Sequence, residues 1–277
     1  MAKADIEIIY ADGNILVINK PSGVSVTKDR SGKENLLHIL QKQLCAQPSN
    51  VVVGGRLSDL RLVHRLDKNA SGVMLLARNV TTQTTFTTCF SERRVRKTYL
   101  AFVRGVPGDK YGLVQAPLAA SEKNPKLMTI DRRKGKDAVT EWKLLADFGT
   151  VALLAVFPLT GRTHQIRVHL QSIGLPLAVD ELYGSKTGLF LSEFKTNYRL
   201  GKNQVEKPLI NRLTLHSYQL EFKETLPDAP NYFVARLDKK FAAAIKMLTK
   251  YNPNGRAAFL EPDILTDILA AKRLSIL

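Results

Sequence analysis

A carboxylate flanked by cations is the first candidate for chemistry in this 277-residue chain. It is Asp67, in His64-Arg65-Leu66-Asp67, between an apolar pair and the turn-rich Lys68-Asn69-Ala70-Ser71-Gly72. His64 and Arg65 are potential cations that would keep the carboxylate ionised. On these local features alone, a structural ion pair is the favoured reading. Denser is Thr160-Gly161-Arg162-Thr163-His164-Gln165-Ile166-Arg167-Val168-His169-Leu170, which follows an apolar run and opens a helix. Arg162, His164, Arg167 and His169 put donors at a helix N-terminus, where anions are favoured. The competing reading is a helix with a solvated polar side and a satisfied core histidine, His169. Tyr99, in Arg96-Lys97-Thr98-Tyr99-Leu100, is either a half-buried strand tyrosine or a stacking platform beside phosphate-binding cations. Arg132-Arg133-Lys134-Gly135-Lys136 reads as a solvated loop that also suits phosphate contact.

Other chemistries lack their residues. There is no Gly-rich phosphate loop, no G-x-S-x-G elbow and no Cys/His metal cluster. The two cysteines, Cys45 and Cys89, give neither a disulfide framework nor metal spacing. What remains is covalent or acid–base work by Asp67 in a basic site. The charge balance agrees: Lys+Arg total 41 and Asp+Glu 25, a net charge of +16. A chain this basic attracts polyanions and releases their counterions on binding. Hydrophobic content of 44% and charged content of 24% place it among globular proteins. The longest apolar run, Val151 to Leu159, is far short of the roughly 20 residues that span a bilayer. Asp5 stands where a secretory signal would carry its apolar stretch, so a cytoplasmic location is expected.

These residues need elements to hold them. Ile6 to Tyr10 and Ile15 to Asn19 read as a hairpin around Asp12-Gly13, closed by Lys20-Pro21-Ser22-Gly23. Asn35 is placed to cap a helix carrying Leu36, Leu37, Leu40 and Leu44. Gln47 to Arg61 has loop composition, and Val73 to Ala77 reads as a buried strand. Asn79 to Arg94 is contradictory: its position favours a helix, its six β-branched threonines do not. Strands are expected over Lys97 to Val103, Val139 to Leu145, Val151 to Phe157 and Leu213 to Phe222. Lys123 to Lys136 shows no periodicity. Ile166, His169, Leu170 and Ile173 fall at helical spacing, with Gly174 as the stop. Phe241 to Tyr251 and Glu261 to Leu277 look helical. Strands and helices mix without strict alternation, which predicts an α+β fold with one mixed sheet.

Taken in order, these stretches resemble the RluA-type RNA pseudouridine synthases. Leu16 to Gly23 is similar to that family's N-terminal strand and K-P-x-G turn, and His64 to Gly72 to its H-R-L-D-x-x-T-S-G motif. Arg96 to Ala101 is similar to its K-x-Y-x-A strand, and Thr160 to Leu170 to its G-R-T-H-Q-[IL]-R-x-H helix start. Leu215-His216-Ser217 and Asp180 to Gly184 add weaker agreement. The resemblance spans about residues 6 to 250. It implies one α+β domain around a long, curved, mostly antiparallel mixed sheet with flanking helices and loops. A catalytic domain over 1–250 and a C-terminal helical extension over 251–277 are expected. It implies that Asp67 is the essential aspartate and that Arg167 pairs with it. Tyr99 would stack on the target base and take the C5 proton, and Arg65 would help displace that base. His64, Lys97, Arg162, His164 and Leu215 lie in the matching motifs and are expected to bind substrate.

Three departures stand out. Position 70 is Ala where the family usually has Thr, which puts the loop's hydrogen bonding in question. Leu177-Ala178-Val179-Asp180 replaces a more usual I-x-G-D. The pattern begins at about Ile6, so the small RNA-binding domain that many relatives carry ahead of it is expected to be absent. The implied reaction isomerises uridine in folded RNA, rRNA or tRNA, without metal, cofactor or membrane, in a monomer. Two rivals remain: a non-catalytic RNA-binding or ribosome-assembly protein on this fold, and a base-releasing glycosidase. The second usually shows another acid near the first, and none is apparent near these motifs.

Overall fold

The computed structural model describes residues 5–27, 32, 34–46, 59–195, 197–201, 203–223, 230–252, 254–261 and 263–275. Most of the expected loop over Gln47 to Arg61 lies outside these residues. The strands are β1 (Glu7–Ala11), β2 (Ile15–Lys20), β3 (Arg61–Leu62), β4 (Ser71–Ala77), β5 (Val95–Arg104), β6 (Tyr111–Gln115), β7 (Leu118–Ala120), β8 (Met128–Ile130), β9 (Val139–Asp147), β10 (Val151–Pro158), β11 (Leu215–Phe222) and β12 (Tyr232–Val234). Ten of them form one sheet in the order β1-β2-β4-β11-β5-β10-β9-β6, with β12 on β11 and β3 on β4. Strands β7 and β8 make a separate hairpin. The helices are α1 (Leu36–Ala46), α2 (Val80–Ser91), α3 (Gln165–Ser172), α4 (Lys239–Tyr251) and α5 (Ile264–Leu269). The fold is α+β, as the element pattern predicts.

Two compact units divide the chain. One holds residues 1–97 and 217–236, the other 98–216 and 237–276. In the first, Asp12 makes the β1–β2 turn by accepting the amides of Asn14 and Ile15, each at 2.7 Å. Asn35 caps α1 through the His38 amide. Helix α2 forms despite its threonines for three reasons. Asn79 caps it, accepting the Thr82 amide at 2.8 Å. Thr84 and Thr85 return their hydroxyls to carbonyls four residues back. Phe86 is buried edge-on against Phe222, with centroids 5.2 Å apart. Burial of one such ring is worth about 1.5–3 kcal/mol and the cap about 1 kcal/mol, together comparable with what the threonine propensities cost.

In the second unit, β9 and β10 pair around Gly149, which is at φ +83°. All eight residues of β10 are buried. Helix α3 ends at Gly174, φ +78°, with Ile173 exposed rather than on the buried face. Strand β8 lies inside the stretch that shows no periodicity; three residues are too few to display one. The residues after Tyr251 pack onto the β9–β10 corner. Phe259 meets Phe148 edge-on, the Leu260 amide bonds the Leu145 carbonyl, and the Asn252 side chain donates to the Phe148 carbonyl. The expected helix over Glu261 to Leu277 is shorter than that. It stops at Leu269, where Ala271 turns to φ +54° and the Lys272 amide closes back on the Asp267 carbonyl.

Candidate active site

The loop carrying Asp67 hangs from a buried lysine. Lys20 ends β2 with no exposed surface, and its Nζ donates to the carbonyls of Pro21 (3.1 Å), Lys68 (3.0 Å) and Ala70 (2.8 Å). Ser22 adds a bond to the Asn69 carbonyl at 2.6 Å, and the Gly23 amide one to Lys68. The turn then closes on itself through the Ala70 amide and the Asp67 carbonyl. Asp67 itself is half-buried and Arg65 exposed, while Leu66 is in the core. The missing hydroxyl at Ala70 therefore leaves the loop well tied, because the lysine and backbone carbonyls hold it. Gly72, at φ +117°, lies so close to the Ser217 backbone that a Cβ would come 2.1 Å from its carbonyl oxygen. Replacing Lys20 by Met is expected to cost about 2–3 kcal/mol, since three carbonyls lose a charged donor. Urea unfolding measures that loss.

His64 corrects the expectation of a cation. Its ring stacks on Phe90 at 4.3 Å, and its Nε2 accepts the Leu75 amide at 3.0 Å. Burial, together with the charge of nearby Lys97, pushes it down to about 3. The imidazole is neutral and supports the strand behind the Asp67 loop. In the unfolded chain it titrates near 6.5, so between pH 6.5 and 3 only the unfolded state takes the proton. Stability therefore falls as pH drops through that window, by up to about 1.4 kcal/mol per pH unit from this group. His64→Gln, which keeps an acceptor for Leu75, is expected to flatten the slope between pH 6.5 and 5 in thermal melts. Lys97, half-buried, is pushed down to about 8 by burial and by the charge of Arg93.

In the second unit, Tyr99 is a half-buried residue of β5, opposite Val156 of β10. The helix-start motif is organised by Gln165, a residue whose role sequence reasoning missed. Its Oε1 accepts the Thr160 hydroxyl (2.7 Å) and the Arg162 amide (3.0 Å), and its Nε2 donates to the Val139 carbonyl and Thr140 Oγ1, both at 2.9 Å. His169 completes the network: Nε2 donates to the Ala116 carbonyl and Nδ1 accepts from Thr140, both at 2.9 Å. Burial holds it below its ordinary value. It is the satisfied core histidine of the simpler reading. Arg162 is exposed and bonds the Asp137 carbonyl through Nε. His164 sits at φ +55° just before α3, with Nδ1 2.7 Å from the Tyr183 hydroxyl.

Arg167 is buried on the same helix. Its Nε and one terminal nitrogen grip the Asp180 carboxylate, each at 2.7 Å, and its guanidinium lies 4.9 Å from the Tyr183 ring centre. Asp180 also accepts the amides of Leu182 and Tyr183. Such a fork fixes the guanidinium plane as well as its charge. The sequence signal for Asp180 and Tyr183 was their place in Asp180 to Gly184, which by itself assigned them no role. Leu215 is buried in β11.

Sequence comparison places this architecture. The family pattern described as RNA pseudouridylate synthase matches residues 14–172, more than half the chain, and it includes Asp67, Tyr99 and Arg167. The chain belongs to that family. It is 35% identical over 214 residues to a protein of Borreliella burgdorferi named ribosomal large subunit pseudouridine synthase D, covering 73% of this chain and 64% of that one. It is 32% identical over 235 residues to ribosomal large subunit pseudouridine synthase C of Buchnera aphidicola, covering 84% and 68%. Among solved structures, human RNA pseudouridylate synthase domain containing 4 superposes with a TM-score of 0.62 at 27% identity, over 87% of this chain and 92% of that one. Human RNA pseudouridylate synthase domain containing 1, at 24% identity and a TM-score of 0.66 over 98% of both chains, shares the fold.

Proposed function

We propose that this protein isomerises specific uridines to pseudouridine in structured RNA, ribosomal or transfer RNA, with Asp67 as the catalytic carboxylate. The observation that carries this is the family match over residues 14–172, which takes in Asp67, Tyr99 and Arg167 in order. A net charge of +16 suits an RNA substrate. A uridine in folded RNA is stacked or paired, and extruding it costs a few kcal/mol. Arg65, exposed beside Asp67, would fill the vacated stack. Lys97, Arg162 and His164 would meet the flanking nucleotides, and Leu215 would back the site. His64 would act as a neutral support.

The reaction breaks the N1–C1′ bond, turns the uracil, and joins C5 to C1′; the C5 proton then leaves and N1 takes one up, so the product is an isomer. It is redox-neutral and calls for no cofactor. Asp67, as the carboxylate, starts the sequence as nucleophile or base. Arg167, gripped by Asp180, would keep a fixed cation at the reacting charge. Tyr99 would stack on the uracil and receive the C5 proton. A monomer in the cytoplasm is the proposed setting; among the described residues no helix is long and apolar enough to cross a membrane. Carbodiimide modification and primer extension on RNA from a deletion strain test the proposal. Loss of discrete pseudouridine stops, restored by the cloned gene, is the expected result. An unchanged map of rRNA and tRNA would refute it.

A further inference from the structure

Tyr183 joins three parts of its unit, and its role is absent from the reading above. It is 8% exposed. Its hydroxyl accepts the Met128 amide at 2.7 Å and lies 2.7 Å from His164 Nδ1. Its ring lies against the Arg167 guanidinium at 4.9 Å and meets the His164 ring edge-on at 5.4 Å. Its own amide is held by Asp180, the carboxylate that grips Arg167. The side chain packs in one apolar cluster with Leu118, Ala138 and Val168, so the tyrosine cannot swing without disturbing the β7–β8 hairpin and α3.

A buried hydroxyl with partners on two sides is a fixed point. His164 is itself in the left-handed region at φ +55°, where a non-glycine residue persists only if its surroundings hold it there. The Tyr183 hydroxyl contributes to that hold, and the ring limits the planes the Arg167 guanidinium can take. We propose that Tyr183 is a positioning residue for the isomerisation: its hydroxyl acts through His164 and its ring through Arg167. This rests on the synthase reading.

Two substitutions separate the two parts. Tyr183→Phe keeps the ring on Arg167 and removes the hydroxyl. Tyr183→Leu removes both. Single-turnover tritium release from C5-tritiated RNA and filter-binding affinity are the readouts, with the ¹⁵N shifts of the His164 ring in the free protein. The Phe protein is expected to bind RNA within about twofold of wild type and to turn over about tenfold more slowly, the size of one lost hydrogen bond. Its His164 ring signals move. The Leu protein is expected to be slower again. Adding Tyr183→Phe to His164→Ala costs no further rate, because the hydroxyl acts through that ring. His164→Gln, which keeps an acceptor for the hydroxyl, retains more rate than His164→Ala and tests the same bond should the Phe protein not fold.

A Phe protein with wild-type rate and unmoved His164 signals would overturn the inference. So would multiplicative losses in the double variant, or equal losses in the Gln and Ala variants. In those cases the wild-type enzyme still releases tritium and the synthase reading stands. A wild-type protein that releases none from any RNA sinks that reading, and the positioning role with it.

Discussion

RNA carrying C5-tritiated uridine is expected to keep its tritium when the Asp67→Asn protein is added at concentrations where wild type releases it within minutes. Asn matches the carboxylate in size and keeps the turn that Lys20 ties down through the carbonyls of Lys68 and Ala70. The fold should therefore survive. An amide is neither a useful nucleophile nor a base at neutral pH, so the chemical step loses its driving group. A loss of about 10⁴-fold or more is expected, in line with removal of a group on which the other catalytic residues depend. Binding should hold, since cations make most RNA contacts and one fewer negative charge does not oppose them. Filter binding within about threefold of wild type, with no tritium release, is the signature. Retained release would remove Asp67 from the mechanism.

The second large effect is on stability. Arg167→Ala is expected to destabilise the protein by about 3–5 kcal/mol, the usual cost of breaking a buried pair and leaving one charge behind. Asp180 is 1% exposed and gives both oxygens to the Arg167 fork, so nothing like bulk water can take over. Arg167→Lys keeps the charge but not the two-pronged geometry, and its loss should be smaller. Asp180→Asn tests the pair from the other side. It strands the guanidinium, and its cost should approach that of Arg167→Ala. Urea midpoints for the three proteins give the comparison. A loss under about 1 kcal/mol for Arg167→Ala would mean that the fork contributes little to folding.

The candidate site residues are easier to read in the sequence than the residues that hold them. Asp67, Tyr99 and Arg167 stand in stretches whose order and wording carry a family pattern, so they can be found without coordinates. Lys20 stands in such a stretch too, as the first residue of the K-P-x-G turn, but the pattern gives it no role. A lysine at a strand end reads as solvated, and only its three carbonyl partners, two of them nearly 50 residues on, reveal that it is buried. Asp180 and Tyr183 are separated from Arg167 by loop, and no periodicity links them. His64 shows the opposite error. Beside Arg65 and Asp67 it reads as a potential cation, whereas Phe90 and the Leu75 amide make it a neutral packing residue.

Helix α2 teaches the same lesson from local structure. Six threonines argue against it, yet its cap and the packing of Phe86 decide otherwise. The residues after Tyr251 read as a helical extension. What they do is close the β9–β10 corner with Phe259 and Asn252, contacts that depend on tertiary placement. Propensity and pattern fail in these places because the decisive partner is distant in sequence.

The reaction product distinguishes isomerisation from binding or base removal. RNA incubated with the wild-type protein is digested to nucleosides and separated by chromatography with mass detection. Pseudouridine is expected in an amount equal to the uridine lost, with no free uracil and no abasic sites. Bound but unchanged RNA, or free uracil with abasic sites, would contradict isomerisation.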